Sequence, residues 1–292
     1  MTPLDSAWLA EHPLPRPHGD IDKNSRGRVL VAGGSETVPG ALRLTGEAAF
    51  RAGAGKVQLA TADRAALALG MTMPEAAVFP LPVNQHGELG DAAAPELARF
   101  LTRCDTLVLG PGMGAKSAAA AVLSAAIAEP REDLSLVIDA AAIAAAVDMA
   151  DALRAHAGRV VLTPHPGEMA QLMQCDEARP KEDPATLVCE AAERFGATVL
   201  LKGAQTWIAC PGQSVLRYAG GGPGLATGGS GDVLAGIIGG LLSRGAAPRL
   251  AAAWGVWLHG EAGRRCAEAI GPLGLLGREL LPAIPRLMAN FA

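Results

Sequence analysis

Hydrophobic positions along this chain fall into short continuous runs, separated by longer stretches where apolar residues recur every three or four positions. Leu107-Val108-Leu109, Leu136-Val137-Ile138, Val160-Val161-Leu162 and Val199-Leu200-Leu201 are apolar on consecutive positions. Such runs suit a parallel sheet covered on both faces, because neither side of the strand is polar enough to face water. The pattern predicts strands at 28–32, 56–60, 77–81, 106–109, 134–139, 159–163 and 198–202. Helical periodicity fills most gaps, at 40–52, 93–101, 117–128, 141–153 and 184–195. This alternation predicts an α/β fold with a mostly parallel central sheet flanked by helices on both faces.

The last third changes character. Segments 206–210 and 214–218 flank Pro211-Gly212-Gln213 and read as a hairpin. A glycine-rich loop at 220–231 follows, then helices at 232–243 and 248–268. No low-complexity linker and no internal repeat interrupts the chain, so 23–292 reads as one domain. Residues 1–22 hold four prolines and read as an N-terminal arm.

Composition narrows the function. Glycine supplies 36 of 292 residues, well above the roughly 7% of average proteins. Without a collagen period, that excess points to tight loops of the kind that surround phosphates. Aromatic residues are only 3%, so Ala, Val, Leu and Ile must build the core. Twenty-five basic against 29 acidic residues leave a net charge of −4, which argues against nucleic-acid binding. No apolar run is long enough to span a membrane, and no signal-peptide pattern opens the chain, so the expected location is cytoplasmic. Five cysteines without a CxxC pair read as reduced thiols rather than a disulfide or zinc framework.

The strongest chemical signal is Gly224-Leu225-Ala226-Thr227-Gly228-Gly229-Ser230-Gly231-Asp232, which opens directly into an apolar-periodic helix. Glycines let the backbone approach a ligand, and the first amides of a helix are unpaired and carry the positive end of its dipole. Gly229, Ser230 and Gly231 thus form a candidate anion hole for a phosphoryl group, with Asp232 beside it as a candidate base. A lone Gly-Asp at a helix start is more often a simple dipole interaction. The whole run favours function.

Two other strand-end loops share this logic, Gly33-Gly34-Ser35 and Gly110-Pro111-Gly112-Met113-Gly114. Each alone is common in α/β proteins. Together they mark the carboxyl ends of strands, where open sheets bind ligands. Thr163-Pro164-His165-Pro166-Gly167-Glu168 places His165 and Glu168 after another strand. His165 is a candidate ligand donor, while Glu168 is a candidate helix cap or a metal ligand through water. Lys202 ends the last parallel strand as a candidate phosphate contact. His259 lies in a helix and reads as helix packing or a satisfied core histidine, and Trp254 and Trp257, three apart on one helical face, read as core.

These motifs, in this order, resemble the NAD(P)H-hydrate dehydratase family of the ribokinase-like superfamily. The matching pieces are GRVLVAGGS (27–35), PGALRLTGEAAFRAGAGKV (39–57), MPEAAVFPL (73–81), LVLGPGMG (107–114), TPHPGEMAQL (163–172), LLKGAQT (200–206), GPGLATGGSGDVLAGII (222–238) and WLHGEAG (257–263). TPHPGE together with ATGGSGD is specific to that family, whereas GSGD alone marks only the superfamily. The resemblance implies an enzyme that uses ADP or ATP, with Mg²⁺, to expel the ring hydroxyl of hydrated NADH or NADPH as phosphate. It implies that Asp232 is the base and that the Gly229–Gly231 amides stabilise the transferred group. Ala41, Gly114 and His165 would contact the hydrated dinucleotide. Lys202, Gly203, Ala204, Gln205, Thr206 and Gly231 would contact the nucleotide.

Two positions depart from the family pattern. Ala141 stands where a second Asp follows Asp139-Ala140, and Gly222 stands where Asn precedes the Pro-Gly of the loop. The resemblance also implies a homo-oligomer, often a tetramer, and an epimerase supplied as a separate protein. The alternatives are a ribokinase-like small-molecule kinase and a nucleotide-binding protein without turnover.

Overall fold

Alternate side chains of the central strands enter two separate hydrophobic layers. Val29, Val31, Val108, Val137, Val161 and Leu200 join one layer. Leu30, Leu107, Leu109, Leu136, Ile138, Leu162 and Leu201 join the other. Both layers are apolar, so the period of two shows in the structure but not in the sequence.

The computed structural model describes residues 1–16 and 21–291. Its sheet contains β1 (Thr2–Pro3), β2 (Arg28–Ala32), β3 (Lys56–Ala62), β4 (Ala77–Leu81), β5 (Thr106–Leu109), β6 (Ser135–Ile138), β7 (Val160–Leu162), β8 (Thr198–Leu201), β9 (Thr206–Ala209) and β10 (Leu216–Tyr218). The order across the sheet is β1-β10-β9-β8-β7-β6-β5-β2-β3-β4. Strands β2 to β8 run parallel, and β9 reverses to form the expected hairpin with β10. The chain direction across the sheet switches beside β2, whose neighbours are β3 and β5. The ends of β2, β5, β6, β7 and β8 therefore form one continuous row, the place where open α/β sheets bind ligands.

Two helices meet at backbone distance under this row. A Cβ on Gly236 would lie 2.1 Å from the carbonyl oxygen of Thr45, and one on Gly240 would lie 2.5 Å from that of Ala49. Helix Ser230–Ser243 is thereby held against helix Gly40–Arg51, which fixes the position of its amino end.

Three local features differ from expectation. The predicted helix at 141–153 is broken into Ala141–Ala145, a 3₁₀ turn at Ala146–Asp148 and Ala150–Arg154. The Val147 carbonyl accepts from the Arg194 guanidinium at 2.9 Å, a tertiary bond in place of one along a continuous helix. The helices Asp63–Thr72 and Pro166–Met173 were not predicted.

The third feature is the start of the chain. Strand β1 joins the sheet edge through Thr2 N to Val215 O and Leu4 N to Arg217 O, both 2.8 Å. Helix Ser6–Glu11 buries Trp8 and Leu9, and the indole N–H of Trp254 donates to His12 O at 2.8 Å. Most of the described arm is thus docked on the domain. Residues 17–20 of the expected arm lie outside the described residues.

Candidate active site

Asp139, Thr163 and Lys202 follow β6, β7 and β8, three adjacent strands, so their side chains meet above the sheet. Lys202 Nζ donates to Asp139 Oδ1 at 2.8 Å, and the Thr163 hydroxyl donates to the same carboxylate oxygen. Glu168 Oε2 lies 3.9 Å from Nζ. Burial pulls the Lys202 ammonium downward, but the charges of Asp139 and Glu168 outweigh it and hold its pKa above the usual lysine range. Lys202 is therefore a fixed cation in a partly dry setting.

The anion-hole loop reaches this cation from the other side. Gly229 adopts φ +84°, a left-handed conformation that glycine takes without strain, and caps helix Ser230–Ser243. A Cβ built on Gly231 would lie 3.7 Å from Lys202 Nζ and 4.0 Å from Asp139 Oδ2. One built on Gly229 would lie 3.9 Å from Asp232 Oδ2. The glycines thus leave open the space between the helix amides, the lysine and the Asp232 carboxylate. Burial pushes the Asp232 carboxyl up to about 6, assisted by the negative charge of Asp139 and opposed by Lys202.

A cavity of about 770 Å³ opens beside this cluster. Its lining includes His165, Lys202, Gly203, Ala204, Thr206, Ser230 and Gly231. Gln205, the remaining residue of the expected nucleotide segment, is exposed and not part of the lining. His165 caps helix Pro166–Met173, with Nδ1 accepting from the amides of Gly167 and Glu168. Glu168 returns the bond, accepting from His165 N at 2.8 Å, so its expected capping role is present. Burial foremost, with Lys202 nearby, keeps the His165 ring below its ordinary pKa. Burial raises the Glu168 carboxyl to about 6 against the pull of Lys202.

Ala41 and Gly114 belong to a second group along the row. A Cβ on Gly112 would lie 2.9 Å from the Ala41 Cβ and 3.0 Å from Gly34 Cα, so the two other glycine loops meet at the start of helix Gly40–Arg51. The Gly114 amide donates to Glu88 Oε2 at 3.2 Å. Neither Ala41 nor Gly114 lines the large cavity.

Three residues near the site carried no clear sequence signal. Glu88 sits in an unpatterned loop. Asp139 was visible only as a strand end. His259, read as helix packing or a satisfied core histidine, is hydrogen-bonded to Ser230 Oγ at 2.9 Å through Nε2 and also lines the cavity. Trp254 is buried as expected. Ala141 opens helix Ala141–Ala145, and Gly222 is exposed at φ +84°, with nothing within 4 Å of a Cβ built there. Neither departure alters Asp232 or the glycines beside it.

Among the described residues, no group of three or more His, Cys, Asp or Glu side chains is arranged to hold a metal ion. A single carboxylate at the cavity wall is nevertheless adequate for Mg²⁺, which keeps several waters and takes other ligands from phosphates. Glu168 lies 3.9 Å from the cavity-lining Lys202 but does not itself line the cavity, so it would reach such an ion only through water. No described helix is long and apolar enough to cross a membrane.

Residues 29–286 match the family model described as NAD(P)H-hydrate dehydratase. The chain is 44% identical to the ADP-dependent (S)-NAD(P)H-hydrate dehydratase of Xanthomonas campestris pv. campestris, over 98% of this chain and 95% of that protein. It is 38% identical to the bifunctional NAD(P)H-hydrate repair enzyme Nnr of Moorella thermoacetica, over 98% of this chain and 54% of that protein. It thus spans about half the length of that bifunctional relative. Among solved structures, the ADP/ATP-dependent NAD(P)H-hydrate dehydratase from Bacillus subtilis, co-crystallised with ATP/Mg²⁺, superposes with a TM-score of 0.81 at 26% identity. That match covers 100% of this chain and 99% of the other. A ribokinase-like superfamily protein from Enterococcus faecalis V583 gives a TM-score of 0.84 at 27% identity, covering 100% and 96%.

Proposed function

The chain belongs to the NAD(P)H-hydrate dehydratase family, and from that premise we propose that it returns hydrated NADH or NADPH to the reduced cofactor with ADP as phosphoryl donor, Asp232 acting as the base. The observation that carries the assignment of Asp232 is its position. It stands at the first turn of helix Ser230–Ser243, beside open glycine amides and across from Lys202, with a carboxyl raised to about 6. A base poised near the working pH is ionised there and still accepts a proton.

Asp232 takes the proton of the substrate's C6 hydroxyl as that oxygen attacks the terminal phosphorus of ADP. The new oxygen–phosphorus bond forms, the bond to AMP breaks, and AMP departs. The Gly229, Ser230 and Gly231 amides stabilise the charge on the equatorial oxygens, with Lys202 as the fixed counter-charge. The ring nitrogen lone pair then expels phosphate from C6, and loss of a proton from C5 restores the ring double bond. The Lys202–Thr206 segment and Gly231 hold the nucleotide, while Ala41, Gly114 and His165 hold the dinucleotide. Mg²⁺, where bound, neutralises phosphate charge, and Glu168 would hold it through water.

The same reading includes a homo-oligomer, a tetramer by family resemblance, which sedimentation tests. The activity test is incubation with hydrated NADH, ADP and Mg²⁺. A rise in the reduced-nicotinamide absorbance that needs nucleotide, with one AMP and one phosphate per turnover, is expected. A stable phosphorylated product in place of free phosphate would instead indicate a kinase.

A further inference from the structure

We propose that His259 is a positioning residue for phosphoryl transfer, holding the Ser230 hydroxyl so that the anion-hole loop keeps its reactive shape; this rests on the assignment of Gly229–Gly231 as the anion hole. The geometry comes from two helices. Ser230 is the first residue of helix Ser230–Ser243, follows the left-handed Gly229, and is 5% exposed. Its hydroxyl sits at the amino end of the helix, where the helix-start amides could donate to its oxygen in place of a ligand, the Ser230 amide itself donating to Thr227 O at 3.3 Å. His259 Nε2, 2.9 Å away, is hydrogen-bonded to that hydroxyl instead. The Ser230 side chain then has a partner outside the hole, and the Gly229 and Gly231 amides stay available for a phosphoryl oxygen.

The position of His259 is itself fixed. It lies on helix Pro248–Ala269, and the next residue is Gly260. A Cβ on Gly260 would lie 2.2 Å from the Tyr218 Oη, so the helix meets the β10 tyrosine with no room for a side chain. Trp254, five residues before His259, is tied through its indole N–H to His12 O. The helix therefore cannot rotate without breaking contacts on both sides of His259. Burial, foremost, keeps this imidazole well below its ordinary pKa, at about 4, so the ring is neutral at working pH. A neutral ring has one donor and one acceptor nitrogen, and Nε2 is used on Ser230. The ring also lines the cavity assigned to the nucleotide. The residue that sets the loop thus also forms part of the wall next to the nucleotide.

The test is a double-mutant cycle with His259→Leu, Ser230→Ala and the pair, read as kcat, KM for ADP, and calorimetric ADP affinity. His259→Leu is expected to lower kcat by roughly ten- to a hundredfold, less than loss of a direct oxyanion donor, with ADP affinity within about threefold. In the Ser230→Ala background the same change is expected to have little further effect on kcat, because the contact it removes is already gone. His259→Gln, which retains a polar group near Nε2, is expected to recover part of the loss. Equal losses in both backgrounds, or a loss confined to KM for ADP, would overturn the proposal. If His259→Leu does not fold by thermal melt, the cycle is run with His259→Ala, which also removes the contact, and read in the same way. A wild-type protein that neither binds ADP nor turns over the hydrate would instead refute the underlying functional reading.

Discussion

Lys202 Nζ lies 2.8 Å from Asp139 Oδ1, joining residues 63 positions apart in the chain. The contact exists because β6 and β8 flank β7, so both residues emerge on the same side of the sheet, with Thr163 between them. The lysine is thereby held under the space that the glycine loop leaves open.

Lys202→Met is expected to raise the KM for ADP. A charge-assisted hydrogen bond to phosphate contributes about 1.5–3 kcal/mol, which corresponds to roughly ten- to a hundredfold in affinity. Steady-state kinetics with varied ADP measures this directly. An unchanged KM would leave Lys202 as only the counter-ion of Asp139.

Asp232→Asn keeps the shape of the side chain and removes the proton acceptor. A positioned base contributes about 10²–10⁴-fold, so turnover is expected to fall by that order while calorimetric ADP affinity stays within a few-fold. Near-normal turnover by this variant would remove Asp232 from the mechanism.

The pH profile should report the same residue. With its carboxyl raised to about 6, Asp232 is protonated and inactive as a base below that pH, so kcat/KM should climb through about pH 6 and level off above it. The charge of Asp139 raises that pKa and Lys202 lowers it. Asp139→Asn should therefore move the acid limb to lower pH, and Lys202→Met should move it higher. Movement of both in the same direction would contradict the assignment. Stability carries the opposite sign. A carboxyl whose folded pKa exceeds its unfolded value destabilises the ionised fold at neutral pH, and the cost fades as pH drops toward 4. Asp232→Asn should then be more stable than wild type at pH 7, by the order of 2 kcal/mol, and about equal at pH 4.

Gly236→Ala tests the helix contact that holds the anion loop. The added Cβ would lie 2.1 Å from Thr45 O, a backbone atom that cannot swing aside. Overpacking at such a contact costs about 1–3 kcal/mol or more. A lower denaturant midpoint is expected, together with reduced kcat, because the amino end of helix Ser230–Ser243 shifts. A full-strength melt would mean that the two helices separate easily.

Much of this was legible in the chain. The strands at 28–32 and 106–109 coincide with β2 and β5, because a strand buried on both faces reads as a nearly continuous apolar run, here bounded by Gly or Asp; 77–81 coincides with β4, an edge strand legible from its apolar run although it is partly exposed. The glycine loop and Asp232 were legible because an anion hole needs small residues directly before a helix. What escaped was tertiary. The two-residue strand β1 exists only through its pairing with β10. The helix at 141–153 lacks Gly or Pro, and its break involves Arg194, 47 positions away from Val147. That the partner of His259 is Ser230 was not legible, because Ser230 is 29 positions earlier and no periodicity links them.

His156 sets a final test, away from the site. It is fully buried, Nε2 bonds Ile127 O at 3.2 Å, and Nδ1 has no partner. With Nε2 donating to a carbonyl, Nδ1 is the bare nitrogen, and a proton added there would be a buried cation without an acceptor. Burial accordingly holds the ring below its ordinary pKa. In the unfolded chain the ring ionises near 6.5. The stability it protects is present above that pH and lost as pH falls below it, because the unfolded state takes up the proton more readily. His156→Gln retains a donor for Ile127 O but cannot titrate. Its melting temperature should therefore fall less than that of wild type between pH 7 and pH 5. The activity profile assigned to Asp232 should be unchanged in this variant, since His156 does not line the active-site cavity. Parallel melting curves for the two proteins across that range would show that His156 does not control the acid sensitivity of the fold.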